Sequence, residues 1–585
     1  MINLSYNALQ VLEKRYLLKD NEGKVRESPE QMFRRVAKYI SEVEKKYGKS
    51  KKYISELENE FYTLMTRLEF LPNTPTLMNA GTSLGTLAAC YVLPVEDSIE
   101  GIFETLKIAA MLHHEAAGTG FSFSKIRPKG YLVKSSGGIA SGPLSFIEVF
   151  DKMTEVMKAG GKRRGANMGV LRVDHPDIID FIQAKNKKGM LENFNISVAV
   201  TDSFMKAVLQ NKEYSLIDPA AKKAVKKINA KKVFDLIVKN AWKTGDPGLI
   251  FIDEINRTNP TNHIGEIEAT NPCAEIPLHE WEACNLGSIN IAKFVKDKKF
   301  DWESLKKIIP TCVRFLDNVI DASKYPVKEI EGNVKANRRI GLGVMGLADC
   351  LIKLRIPYTS KQALDFSEKI MKFIKEESHK ASQELGEEKG NFPNFIGSQW
   401  QKKYKYMRNA TVTTIAPTGT ISIIAGCSSG IEPLFAVAYM RNIIDKHLLE
   451  VTPSFKEIAK EEGIYSESLI RSISKTGSIK KFKSIPKKIK ELFVTALEIN
   501  PEWHVRMQAS FQKYIDNAVS KTINMPTNAP LNEVRKSYLL AWKLKCKGIT
   551  VYRYGSKEKQ VLTIDKNIIA DQDFSGGCEG AVCPH

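Results

Sequence analysis

No apolar run in this sequence approaches the roughly 20 residues that crossing a bilayer requires. The opening MINLSYNALQVLEKRYLL lacks the basic patch, apolar centre and small-residue exit of a secretory signal. The reading is therefore no membrane span, no export and a cytoplasmic location. A repeat of fixed short period is also missing, and no low-complexity linker divides the middle of the chain. Cysteine is scarce, with nine in 585 residues. In a chain of this kind they are expected to be free, catalytic or redox-cycling and not a disulfide framework. Hydrophobic residues at 43% and charged residues at 26% are too apolar for general disorder.

Positive charge is in excess, with 87 Lys and Arg against 67 Asp and Glu for a net +20. That balance suits a nucleic-acid binder or an enzyme of phosphorylated small molecules. The excess is spread over lysine-rich stretches read as helical, Lys222 to Lys232 and Lys475 to Lys490, and solvated faces are favoured over a nucleic-acid groove. No nucleic-acid partner is expected.

Residues 1–70 carry helical periodicity, as in PEQMFRRVAKYISEVEKKYG, and read as a helical lead-in. From 71 to 555, β-rich runs (AACYVLPV, MGVLRV, FNISVAV, ATVTTIAP) alternate with helical runs (SFIEVFDKMTEVMKA, DFSEKIMKFIKEESHKA), which predicts one large α/β domain. Residues 556–585 end in DQDFSGGCEGAVCPH, whose glycines and lack of apolar periodicity predict a flexible tail carrying Cys578 and Cys583.

The chemistry concentrates in ATNPCAEIPLHEWEACNLGSIN, residues 269–290. Read as an extended segment, Asn271, Cys273 and Glu275 point one way and offer an amide, a thiol and a carboxylate to one spot. The competing reading is a turn before a strand, with Cys273 a small buried hydrophobe. In ATVTTIAPTGTISIIAG, Thr418, Gly419, Thr420 and Ser422 follow a strand, where backbone N–H groups and hydroxyls can cradle phosphate at a helix start. No Gly-Lys-Ser/Thr follows that glycine, so the run is not a Walker loop.

The 269–290 stretch resembles the active-site loop of ribonucleotide reductase catalytic chains. Further similar motifs follow in the family's order: PNTPTLMNAGT, AACYVLPVEDSIEGIF, GTGFSFSKIRP, GGKRRGANMGVL, RRIGLGVMGLAD, APTGTISIIAG and the terminal CEGAVC. The resemblance implies a ten-stranded α/β barrel of two half-barrels with the Cys273 loop threaded through its middle. It implies that Cys273 becomes a thiyl radical, that Asn271 and Glu275 bind the ribose hydroxyls with Glu275 as general base, and that Cys90 and Cys284 supply two electrons by closing to a disulfide. It also implies that Thr76, Ala89, Pro417, Thr418, Gly419, Thr420, Ile421 and Ser422 bind the ribonucleotide substrate. Cys578 and Cys583 resemble the family's shuttle pair, which passes electrons from a thioredoxin-like reductant. A zinc site is the rival reading for the tail, but four suitably spaced ligands are lacking and no metal is expected.

The family makes its radical in three ways. Oxygen-dependent forms use two adjacent tyrosines near the C-terminus, whereas here Arg553 separates Tyr552 from Tyr554; no Arg-Val-Ser/Cys-Gly-Tyr glycyl motif is found. Both features and the wording of the active-site loop look like the adenosylcobalamin-dependent class, in which cobalt–carbon homolysis starts the reaction. The separate ATP cone, about a hundred residues, looks missing. By the same resemblance, Asp97, Lys125 and Arg127 would hold a deoxynucleotide or ATP effector, the 160–168 loop would signal to the active site, and a homodimer is implied. Two rivals stand: a large subunit needing a metal-containing small subunit, and a non-enzymatic nucleotide binder.

Overall fold

The structure is a computed structural model that describes residues 2–133, 137–157, 165–187, 189–443 and 446–556, with short strands at 562–564 and 568–570. Cys578, Cys583 and most of the 160–168 loop lie outside the described residues.

The chain opens with helices. Ser28 and Gln31 form a capping box, with Pro29 in the first turn, and so start α1 (Pro29–Ser41). Its buried Met32, Phe33, Val36, Ala37 and Ile40 fall on one helical face. That face packs against α2 (Lys51–Thr66), and α1 also touches the later α5 (Trp302–Ala322). Between them lie α3 (Ile99–His114) and α4 (Pro143–Val156). After α5 come the long α6 (Lys361–Lys389) and the short α7 (Gly419–Ala425).

Ten strands share one sheet: β1 (Phe70–Pro72), β2 (Cys90–Leu93), β3 (Gly118–Ser122), β4 (Ala166–Arg172), β5 (Phe194–Val200), β6 (Gly248–Phe251), β7 (Glu282–Asn290), β8 (Ile340–Met345), β9 (Thr522–Met525) and β10 (Gly548–Arg553). β2, β3, β4, β5 and β6 run parallel in that order. A second parallel set holds β7 beside β8 and β9 beside β10, joined by bridges Leu342 to Thr413 and Ile415 to Val519. The two sets meet antiparallel at β2/β7 and at β6/β10, which closes a barrel of two halves. β1 pairs with the distal part of β7.

The barrel interior is a distinct apolar cluster: Val92, Met168, Val170, Ala199, Ile250 and Leu286 from the strands, with Ala269, Ile276 and Leu278 from the segment between β6 and β7. That segment is a hairpin in which Ala269–Thr270 pairs antiparallel with Pro277–Leu278. Thr270 carbonyl oxygen lies where a Cβ on Gly120 would be, 1.9 Å away, so only glycine on β3 admits the hairpin.

Three expectations need correction. Residues 271–275 are a turn and not extended: the Ala274 N–H donates to the Asn271 carbonyl at 3.0 Å, Pro272 and Cys273 form the corner, and Ala274 has φ 62°. ATVTTIAP makes bridges at Thr413 and Ile415 in place of a continuous strand, because Asp516 and Asn517 side chains take part of its backbone pairing. Neither lysine-rich stretch is a continuous helix: Lys475 to Lys490 is mostly turn and loop with a helix only from Lys487, and within Lys222 to Lys232 residues Ala224–Asn229 form a hairpin strand against Glu213–Ile217 with a helix only from Ala230. Asn229 caps that helix by accepting from the Lys232 N–H, which fixes where strand gives way to helix.

Candidate active site

The antiparallel register sets Cys90 directly opposite Cys284. Facing residues in such a pair have Cα atoms about 4.5–5.5 Å apart, within disulfide range. Both cysteines are buried and reduced, with no disulfide between them. Burial pushes the Cys284 thiol well above its ordinary range; the neighbouring Cys90 adds to this and the Arg339 guanidinium opposes it. Glu275 also acts on Cys284, as a carboxylate close enough to be felt.

The hairpin brings the other groups to this pair from inside the barrel. The Asn271 side-chain amide donates to Cys90 Sγ at 3.1 Å, and Asn271 Oδ1 accepts the Ile276 N–H at 2.9 Å, which fixes the amide orientation. The Glu275 carbonyl is gripped by the Ala518 N–H at 2.8 Å and the Thr414 hydroxyl at 2.9 Å. Across the barrel, the Asn195 amide donates to the Pro272 carbonyl at 3.1 Å. Both half-barrels therefore hold the turn on which Cys273 sits. Cys273 is half-buried. It borders an open cleft lined also by Pro272, Ala274, Ser520, Thr522 and Tyr552, and neither Cys90 nor Cys284 lines it. The site thus has two thiol environments, an enclosed pair and a single accessible sulfur.

Thr418 precedes α7 in a left-handed conformation, φ 57°. Its hydroxyl accepts the Gly430 N–H at 2.6 Å, and the first intrahelical bond is the Ser422 N–H to the Thr418 carbonyl at 2.8 Å. The amides of Gly419, Thr420 and Ile421 thus belong to the helix's first turn, where N–H groups face outward and attract anions. Pro417 takes a bond from the Ser429 hydroxyl. Ala416, just before, shares the barrel cluster with Ala89, Cys90 and Cys284. Thr76 is fully buried, its hydroxyl 2.8 Å from Asn73 Oδ1 and 3.0 Å from the Leu87 carbonyl.

The charged residues Asp97, Lys125 and Arg127 lie on the surface, apart from the thiols. Arg127 pairs with Asp97 at 2.8 Å and Lys125 with Glu280 at 2.6 Å, each partly exposed. Tyr552 lines the cleft while Arg553 turns away and lies over the Trp242 ring, 4.1 Å from its centre. Two residues passed over in the motif reading close the site behind Cys284. Glu282 and Arg339 are buried and ion-paired at 3.0 Å. The available signal was a charge on each of two otherwise strand-like runs, EWEACNLGSIN and RRIGLGVM.

Residues 2–85 match the family "Ribonucleotide reductase, all-alpha domain", and residues 88–407 and 403–552 match "Ribonucleotide reductase, barrel domain". The chain is 52% identical to a vitamin B12-dependent ribonucleoside-diphosphate reductase of Thermoplasma acidophilum, over 96% of this chain and 80% of that protein. It is 48% identical to a protein of the same name from Mycobacterium tuberculosis, over 100% of this chain and 84% of that one. A ribonucleoside-diphosphate reductase subunit alpha of Chlamydia pneumoniae is 29% identical over 87% of this chain. The fold is shared with the Actinobacillus ureae class Id ribonucleotide reductase alpha subunit, at TM-score 0.76 and 24% identity, covering 94% of this chain and 97% of that one. The chain belongs to the ribonucleotide reductase family.

Proposed function

We propose that this protein reduces ribonucleoside diphosphates to 2'-deoxyribonucleotides by thiyl-radical chemistry, with adenosylcobalamin as its cofactor. The observation that carries the reading is the facing Cys90 and Cys284 pair with the Cys273 turn beside it. Diphosphate as substrate and cobalamin as cofactor follow the relatives near 50% identity. The cleft fits such a group, because it opens onto Cys273 alone among the three thiols and sets apolar walls such as Met168, Val519 and Ile549 beside polar groups such as Ser520 and Thr522. Pro272, Ala274, Ser520, Thr522 and Tyr552 would hold its adenosyl portion. When bound, it supplies a radical able to take the thiol hydrogen atom of Cys273.

Cys273 sulfur then removes the ribose 3'-hydrogen. Glu275 takes the 3'-hydroxyl proton, and Asn271 holds the ribose hydroxyls. Cys90 or Cys284 gives a proton to the 2'-hydroxyl, which leaves as water. The pair then supplies two electrons and a second proton and closes to a disulfide. Glu275 returns its proton to the 3'-oxygen, and Cys273 finally returns its hydrogen atom to C3'. The first-turn amides of α7, with Thr418 and Ser422, take the substrate phosphates, and Thr76, Ala89, Pro417 and Ile421 complete the pocket.

The exposed apolar residues Ile99, Phe103 and Met111 on α3, with Val149 and Val156 on α4, support a homodimer through these helices. Asp97, Lys125 and Arg127 beside α3 are the proposed deoxynucleotide or ATP effector site; ligand binding there must displace their present ion pairs. Cys578 and Cys583 are the proposed shuttle to a thioredoxin-like reductant. Among the described residues no helix is long and apolar enough to cross a membrane; a cytoplasmic location is part of this reading.

The test is deoxynucleotide formation by purified protein with adenosylcobalamin, a dithiol and no second subunit. Product under those conditions supports the reading. Product only after addition of a metal-containing small subunit contradicts it.

A further inference from the structure

Arg338 and Arg339 are consecutive, yet their side chains enter two separate charge networks. Arg338 faces the helical layer and bonds Asp317 at 3.0 Å and Asp321 at 2.8 Å. Arg339 enters the barrel, is 2% exposed and bonds Glu282. Its guanidinium also donates to Thr261 Oγ1 at 2.6 Å and Asn259 Oδ1 at 3.2 Å. Glu282 in turn accepts from the His279 backbone N–H at 2.8 Å and from the Asn337 amide. The pair is therefore fully caged, and it joins three places: the chain entering the catalytic hairpin (Asn259, Thr261), the chain leaving it (His279) and the start of β8.

The backbone that carries this pair meets the thiol couple. Glu282 and Cys284 are two apart on β7 and share a face, opposite Val92 and Cys90 of β2. The Cys284 thiol lies 3.5 Å from the Arg339 carbonyl, to which it donates. Two opposite charges enclosed in a barrel cost desolvation and are a weak source of stability, so a buried pair that anchors the backbone on which Cys284 rests calls for another reason.

We propose that Arg339, held by Glu282, is a positioning residue for the Cys90–Cys284 couple. It fixes Cys284 opposite Cys90 so that the two sulfurs close and reopen as a disulfide. Closing forms one S–S bond and releases two electrons and two protons; a dithiol returns both and is itself oxidised to a disulfide. The assignment rests on the proposed role of Cys90 and Cys284 as the reducing pair. Removing the guanidinium also removes a cation that draws the Cys284 thiol downward, a pull that the Glu282 carboxylate opposes.

The test uses the full chain without nucleotide or cofactor, equilibrated against mixtures of reduced and oxidised dithiothreitol. The Cys90–Cys284 disulfide is quantified by acid quench, alkylation and mass spectrometry. Arg339→Gln should weaken the disulfide on the order of ten-fold in its exchange constant and move the pH for Cys284 alkylation upward. Because Arg339→Gln strands a buried carboxylate, the double variant Glu282→Gln/Arg339→Gln keeps the test available in a chain with no unpaired charge, and it should show the same weakening. Arg339→Lys should recover part of it. Arg338→Lys, which belongs to the other network, should lower Tm and leave the exchange constant unchanged. A folded double variant with the wild-type exchange constant overturns the assignment. A wild-type chain that forms no Cys90–Cys284 disulfide at any ratio overturns the redox-pair reading, and this assignment with it.

Discussion

Cys90 and Cys284 stand opposite each other on β2 and β7, the strands at which the two parallel halves of the barrel meet antiparallel. The antiparallel register brings two residues 194 apart in the chain into direct opposition across the seam. Replacing either cysteine with serine should leave the fold intact, because the hydroxyl is smaller than the thiol. Multiple turnover should be lost, as read by deoxynucleotide formed per chain with excess dithiol. Continued cycling in either variant would remove that cysteine from the mechanism.

Glu275 is 2% exposed and its backbone is pinned by Ala518 and Thr414. Glu275→Gln keeps the size and position but removes the carboxylate proposed as the base. Turnover should fall by about 10² to 10⁴, the usual loss for a general base, with little change in Tm. An unaltered rate would sink the assignment.

Gly120 tests the threading of the hairpin. A methyl group there meets the Thr270 carbonyl. Gly120→Ala should therefore cost about 1–3 kcal/mol of stability through overpacking, measured by denaturant titration. It should also lower activity far more than Glu275-independent surface variants do, because the displaced segment carries Cys273. A variant of native stability and full activity would contradict the packing.

The fold class was legible in the sequence because apolar runs such as FNISVAV and MGVLRV are long enough to be buried strands and became β5 and β4. The ten-strand barrel came from the family resemblance, since periodicity carries no strand order. The thiol at Cys273 was also legible, but for a reason that the structure corrects. Residues 271–275 form a tight turn in place of the extended segment that alternation suggests, and that turn depends on the Asn271 side chain closing on Ile276. Arg339 was invisible because a guanidinium in a strand-like run reads as exposed until its partner, 57 positions away, is known.

Lys547 offers a pH test independent of catalysis. It is buried, donates to the Asp516 carbonyl at 2.6 Å, and burial brings its pKa from 10.5 down to about 7. The unfolded chain therefore holds this proton between about pH 7 and pH 10.5 while the folded chain releases it. Stability should rise with pH across that window, by up to about 1.4 kcal/mol per unit from this one group. Lys547→Met should flatten the rise when unfolding free energies of the two proteins are compared. An identical pH slope in both would show that the lysine is not held neutral.

The central claim is that Cys273 carries the radical, and Cys273→Ser tests it directly, because a hydroxyl O–H bond is too strong for the hydrogen transfer. The measurement is deoxynucleotide formed by prereduced protein with adenosylcobalamin, alongside substrate binding by the same sample. The account predicts no product from Cys273→Ser with substrate affinity preserved, and one product per active site from the wild type before the disulfide closes. Product from Cys273→Ser above the no-enzyme level would contradict it.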